Sequence, residues 1–324
     1  MASGERLTLE LVDVRAEARD IVLLELRRSD GAPLPPFEPG AHLEIKLPNG
    51  LIRHYSLTND WRERDRYVVS VGRVADSRGG SSFVHQALRC GTVLDVAAPR
   101  NNFRLEEAAA SHLFIAGGIG ITPIMAMIHW CEANDRPWRL VYAARSAQRA
   151  AFCETLRQFG AKVRFHFDDE QPRLLDVAAV LADVRAGEHV YCCGPQPLMA
   201  AVKTQAANLP VASLHFEYFN APMVDADVAT AATTAAGAFR VDLRKSGLSL
   251  QVPPDKSILE IVEHAGLKVP FSCREGLCRT CETTVCEGEV EHNDYVLSQD
   301  ERDAGRSMMI CVSRAKSPLL VLDL

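Results

Sequence analysis

Four cysteines near the end of the sequence carry its most specific chemistry: Cys273, Cys278, Cys281 and Cys311. The first three lie in Cys273-Arg-Glu-Gly-Leu-Cys278-Arg-Thr-Cys281, and Cys311 follows 30 residues after Cys281. A C-x4-C-x2-C run with a distant fourth cysteine is a ligand spacing for a [2Fe–2S] cluster. Four thiolates also suit Zn²⁺, but structural zinc sites favour two short pairs, and the sequence has a single one. Gly276 fits a tight loop whose backbone N–H groups turn toward the sulfurs, contacts that tune a cluster's potential. Cys286 is read as outside the ligand set, because the alternating stretch Cys281–Cys286 reads as a strand leaving the loop. A cluster of this kind moves one electron at a time. Other residues must therefore supply an electron source.

Two glycine turns are candidates for a nucleotide. Ile115-Ala-Gly117-Gly118-Ile119-Gly120-Ile-Thr122-Pro123 follows the apolar run Leu113–Ala116 and opens the helical pattern Ile121–Cys131. Backbone N–H groups and the helix dipole at such a turn bind a pyrophosphate. The run departs from G-x-G-x-x-G, with Pro123 at the third glycine position and no acid about 20 residues on. Cys193-Gly194-Pro195-Gln-Pro197 is a second strand–turn–helix, and two such ends suit a ligand lying across the carboxyl edge of a parallel sheet. Arg145, after a second strand, could meet a 2′-phosphate, whereas Asp168-Asp169-Glu170, after a third, favour a free ribose hydroxyl. The acids favour NADH over NADPH.

Nearer the start, Arg53-His54-Tyr55-Ser56-Leu57 sets a cation, a flat ring and a hydroxyl along a strand. Arg53, Tyr55 and Leu57 share one face, and Ser56 points the other way. Arg78-Gly79-Gly80-Ser81-Ser82 precedes the helical pattern Phe83–Leu88 and makes an anion cradle. An ordinary half-buried strand and a surface loop are the bland alternatives. The aromatic run Phe216-Glu217-Tyr218-Phe219 reads on general grounds as core. No histidine pairing of metal-binding spacing occurs.

These residues need several elements to hold them. At 324 residues, two or three domains are expected. With 47% hydrophobic residues, 24% charged residues and a net charge of −6, the composition is that of a soluble globular protein and does not favour a polyanionic partner. No apolar run reaches the roughly 18 to 20 residues of a membrane span. The polar start, without an apolar h-region, argues against a signal peptide and for the cytoplasm. Cys90, Cys131, Cys153, Cys192 and Cys193 read as buried free thiols of a reducing compartment. Residues 1–106 show short alternating strands split by Gly and Pro, the pattern of a small β-barrel. Residues 107–223 alternate strand and helix, including a helix around Gln148–Phe159, and imply a parallel sheet. Residues 224–238 read as a linker, and 239–324 as a β-rich domain with one helix near Ser257–Ala265.

In order, Arg53-x-Tyr55-Ser56, Arg78-Gly-Gly-Ser81, Gly117-Gly-x-Gly120-x-Thr122-Pro123, Cys193-Gly-Pro195 and the cysteine loop resemble the phthalate dioxygenase reductase family. That group comprises reductase components of Rieske-type oxygenases, including vanillate demethylase reductases. The resemblance implies an FMN-binding β-barrel, a ferredoxin-reductase-type NAD domain and a C-terminal plant-type ferredoxin β-grasp. By position it implies that Arg53, His54, Tyr55 and Ser56 contact FMN, with Ser56 near N5. Gly79, Gly80 and Ser81 would hold its phosphate and Phe219 would lie by its ring. Gly117, Gly118, Gly120, Thr122, Arg145, Asp168, Cys193, Gly194 and Pro195 would bind NADH, with Thr122 and Cys193 at the nicotinamide. Ser56, Thr122, Cys193 and Glu217 would serve catalysis. The implied partner is a terminal oxygenase, docking near Arg274 and Arg279, and the implied state a monomer. The charges Arg274, Glu275 and Arg279 depart from the expected loop, which leaves the partner open. A P450 or another one-electron acceptor is the alternative, and a redox-sensing protein without turnover a third reading.

Overall fold

The computed structural model describes residues 5–75, 77–207, 213–222 and 237–324. The expected linker over 224–238 lies outside them except for its last two residues. By compactness the chain divides into two units, Met1–Glu217 and Tyr218–Leu324. Among the described residues no helix is long and apolar enough to cross a membrane.

The first unit holds two sheets. Strands β1 (Arg6–Ala18), β2 (Ile21–Arg27), β3 (His42–Lys46), β4 (Ile52–Ser56), β5 (Tyr67–Gly72) and β6 (Val93–Ala97) form an antiparallel sheet in the order β4-β3-β6-β1-β2-β5. Alternation builds it. Leu7, Leu9 and Leu11 of β1 point inward, while Thr8 and Glu10 point away. Just past β4, Leu57 bridges Val69 of β5 and the Thr58 N–H donates to Val68 O at 2.9 Å, which closes the sheet into a barrel. Leu9, Leu24, Leu43, Ile45, Tyr67 and Val96 fill it. The short helix α1 (Gly80–Gln86) follows β5.

The second sheet is wholly parallel, in the order β11-β10-β7-β8-β9. Its strands are β7 (Ser111–Gly117), β8 (Trp138–Ala144), β9 (Val163–Phe167), β10 (Glu188–Cys193) and β11 (Ser213–Glu217). Helix α2 (Ile121–Ala133) is buried nearly all round, because Phe114 and Tyr142 of the sheet and Ile21, Leu23 and Val68 of the barrel share its apolar cluster. The helix expected around Gln148–Phe159 is shortened to α3 (Cys153–Arg157). Glu17, on the barrel, accepts the Phe152 N–H at 2.8 Å, and Phe152 takes a left-handed φ of 61° that breaks the run. Helices α4 (Val177–Ala182) and α5 (Gln196–Ala206) complete the unit. All ten cysteines are free thiols. Cys90 is exposed and Cys153 half-buried, contrary to the expectation that both are core.

In the second unit, β12 (Phe239–Leu243), β13 (Leu248–Val252), β14 (Glu282–Glu287), β16 (Ser307–Met309) and β18 (Leu319–Leu322) form a mixed sheet ordered β13-β12-β18-β14-β16. Its central pair β12·β18 is parallel and the rest antiparallel, a β-grasp arrangement. Strands β15 (Val290–Glu291) and β17 (Arg314–Ala315) form a separate ladder. Helix α6 (Ile258–His264) starts from a complete Ser257/Glu260 capping box and buries Ile258, Leu259 and Val262. Helix α7 (Gln299–Ala304) is capped in the same way by Ser298 and Glu301.

Candidate redox site

Because all five strands of the second sheet run the same way, their carboxyl ends form one edge. Gly117 ends β7, Arg145 follows β8, Asp168 follows β9, Gly194 follows β10 and Glu217 ends β11. Every residue proposed from sequence for the nucleotide therefore stands on that edge or at the start of α2. The two glycine turns pack against each other. A Cβ on Gly120 would lie 2.2 Å from Cys193 O, and one on Gly194 2.9 Å from Gly117 Cα. A Cβ on Gly117 would meet Pro195 Cδ at 2.5 Å. Three of these glycines are thus required by turn–turn packing, which a nucleotide signature alone does not express. Gly118, at φ +53°, faces open space and leaves backbone accessible for a phosphate. Thr122 is buried, and its hydroxyl donates to Ile119 O at 3.0 Å. Arg145 and Asp168 are both exposed, and the Asp168 N–H is held by Ala144 O at 3.0 Å.

At the same edge, Cys193 is the register partner of Glu217. The Ser56 hydroxyl, from the barrel, donates to the Glu217 carboxyl. Burial pushes that carboxyl up to about 8, against the pull of the Ser56 hydrogen bond. Glu217 Oε2 is sealed from solvent and has no hydrogen-bond partner among the described residues. Burial first, then the charge of Glu217, holds the Cys193 thiol well above its ordinary value, so it stays protonated. Ser56, Cys193 and Glu217 come together although 161 residues separate Ser56 from Glu217. The local signal for Glu217 is weak, because its five-residue strand presents only an aromatic run, and the family resemblance is what points to it.

The flavin candidates lie on β4 and α1. Arg53 donates from Nη1 to Ile52 O at 2.8 Å and from Nη2 to Arg78 O at 3.0 Å, which lays its guanidinium across the start of α1. Gly79 has φ +87°, which favours glycine, and a Cβ on Gly80 would meet Arg53 Nε at 2.3 Å and so have to displace that side chain. The Ser81 hydroxyl accepts the Val74 N–H at 3.3 Å and lies 3.0 Å from Ser77 Oγ. Guanidinium, glycine backbone and hydroxyls thus fit a phosphate monoester. Tyr55 holds its hydroxyl buried without a partner among the described residues, and burial pushes it up to about 12. An orphaned buried phenol on the same strand face as Arg53 fits a bound polar heterocycle. His54 takes the opposite strand face from Tyr55, with Nε2 4.0 Å from Glu44 Oε2 and its ring edge-on to His42. Phe219, two residues past Glu217, leaves 40% of its surface exposed.

The cysteine loop is wound for sulfur. Arg274, Gly276 and Arg279 all adopt left-handed φ values between 58° and 70°. The N–H groups of Glu275 and Leu277 point at Cys273 Sγ at 3.4 and 3.3 Å, and that of Cys273 points at Cys278 Sγ at 3.5 Å. Cys311 hydrogen-bonds with Cys273 and Cys281 and receives the Gly276 N–H. Cys278, Cys281 and Cys311 are buried. Among the described residues no three His, Cys, Asp or Glu side chains surround a point that one metal ion could fill. The fit to a cluster rests on the inward N–H groups and the buried sulfurs. Arg279 is turned inward to Glu282 and Glu301, so of the two arginines expected at a docking face only Arg274 projects, paired with Glu263 at 2.8 Å and stacked 4.0 Å over Phe271. Cys286 lies on β14.

Residues 241–316 match the 2Fe-2S iron-sulfur cluster binding domain, and residues 97–214 match the N-terminal domain of dimethylamine monooxygenase subunit DmmA-like proteins. The chain is 44% identical to a vanillate O-demethylase oxidoreductase of Pseudomonas sp. strain HR199, over 96% of this chain and 98% of that protein. An intact type IV self-sufficient cytochrome P450 monooxygenase superposes with a TM-score of 0.92 and 36% identity, covering 98% of this chain and 41% of that one. A solved phthalate dioxygenase reductase superposes with a TM-score of 0.71 and 41% identity, covering 98% of both chains. With 42% identity to phthalate dioxygenase reductase of Burkholderia cepacia, across 98% of this sequence and 97% of that one, the chain belongs to the phthalate dioxygenase reductase family.

Proposed function

We propose that this protein is an NADH-dependent reductase that carries electrons through FMN and a [2Fe–2S] cluster to a terminal Rieske-type aromatic oxygenase. When bound, NADH supplies a hydride, FMN accepts the pair and releases it singly, and the cluster carries one electron at a time. The observation behind this reading is the Ser56–Glu217–Cys193 group at the sheet edge, in the same chain as an orphaned Tyr55 hydroxyl and a sulfur-directed loop.

The residues have separable tasks. Arg53, Gly79, Gly80 and Ser81 bind the FMN phosphate. Gly118 and the start of α2 receive the pyrophosphate, and Thr122, fixed by Ile119 O, shapes the floor on which the nicotinamide rests. Asp168 takes a ribose hydroxyl and disfavours a 2′-phosphate. Cys193, uncharged, lines the transfer site without adding a competing nucleophile. Glu217 keeps a proton at neutral pH, so it stands uncharged at the transfer site while its carboxyl accepts the Ser56 hydroxyl and fixes that side chain in place. Cys273, Cys278, Cys281 and Cys311 ligate the cluster, and Arg274 with Phe271 offers an exposed contact for the oxygenase.

Purified protein should bleach with NADH far faster than with NADPH and release FMN on denaturation. Release of FAD, or equal rates with the two coenzymes, would sink the corresponding assignment. A cytochrome P450 acceptor is a second reading, favoured by the 0.92 superposition on a P450 monooxygenase chain. Transfer rates to purified Rieske and P450 acceptors, measured side by side, separate the two.

A further inference from the structure

Asp294 stands behind the cysteine loop without belonging to it. Its side chain is wholly buried, and the next residue, Tyr295, donates its N–H to Gly276 O at 3.0 Å. Gly276 has no spare room. A Cβ there would lie 2.7 Å from Val312 Cγ2 and 3.0 Å from Asp294 Cα. Asp294 Oδ1 accepts the N–H groups of Val296 and Leu297 at 3.1 and 2.8 Å, which fixes the turn carrying the Tyr295 donor. Arg302, on α7, closes the turn from outside, donating from Nη2 to Asp294 O at 2.5 Å and from Nε to Leu297 O at 3.2 Å. Asp294 Oδ2 has no hydrogen-bond partner among the described residues.

A buried carboxylate so thinly compensated is costly. Arg302 Nη2 lies 3.6 Å from Oδ1 and His292 Nδ1 3.6 Å from Oδ2. Burial pushes the His292 imidazole below its ordinary value against the upward pull of Asp294, so the standing counter-charge is Arg302. Local hydrogen bonds and charge set the potential of an iron–sulfur centre.

We infer that Asp294 is a positioning residue for the cluster: it locks the turn under Gly276 so that the loop N–H groups aim at the sulfurs, and its charge, offset by Arg302, holds the reduction potential down. The inference rests on the reading of the loop as a cluster site. Asp294→Asn keeps the Oδ1 acceptor and removes the charge, while Arg302→Gln removes the counter-charge. The midpoint potential of the full chain is measured by spectroelectrochemical titration, with iron and acid-labile sulfide assayed in each sample. The midpoint should rise in D294N and fall in R302Q at full iron content. An unchanged midpoint in either iron-replete variant, or shifts of the same sign, overturns the inference. If D294N purifies without its cluster, the sign of the R302Q shift decides. Absence of acid-labile sulfide from the unmutated protein would instead refute the underlying cluster reading.

Discussion

At the scale of single residues, Glu217 is the group whose environment departs furthest from its chemistry. An acid whose folded value is raised to about 8 keeps its proton where the unfolded chain, titrating near the ordinary carboxylate value of about 4.3, has already released it. The folded state then binds more protons than the unfolded state, so stability falls as pH rises through that window. Glu217→Gln removes this dependence. Thermal unfolding from about pH 5 to about pH 9 should give a flatter curve for the variant, with matched stability at the acid end and higher stability at the alkaline end. Parallel curves would mean that Glu217 is already ionised in the fold.

At the scale of elements, the two glycine turns act as a single part. Gly120 lies against Cys193 O so closely that a methyl group must push backbone against backbone. Gly120→Ala should cost about 1–3 kcal/mol by overpacking, read as a fall of roughly 2–4 °C in Tm for each kcal/mol in a unit of this size. It should weaken NADH binding as well, because both turns shift together. An unchanged Tm would contradict the packing described. The long periodic elements were legible in the sequence, among them α2, β7 and the capped helix at Ser257, because local patterning and burial agree there. Strands β6 and β11 were not, since at five residues periodicity is marginal, enough to mark β4 and β9 but not these two. The helix around Gln148 was overestimated because the group that breaks it, Glu17, is 135 residues away in sequence. The candidate site divides along the same line. The cysteine spacing and the glycine turns are local signals, whereas the meeting of Ser56 with Glu217 and the inward turn of Arg279 exist only after folding.

At the scale of the whole molecule, three parts follow one another in the chain: a barrel with the proposed phosphate cradle, a parallel sheet with the proposed nucleotide edge, and a β-grasp unit with a sulfur-directed loop. A two-electron donor and a one-electron acceptor cannot be coupled without a carrier between them, and one chain holds the residues for all three. Cys281→Ser removes one buried, proposed ligand from the loop and leaves every residue of the first unit unchanged. With this variant, flavin bleaching by NADH and reduction of cytochrome c are followed in the same preparation. NADH should still bleach the flavin at the unmutated rate while cytochrome c reduction is lost. Loss of both activities, or retention of both, would contradict the order NADH, FMN, cluster.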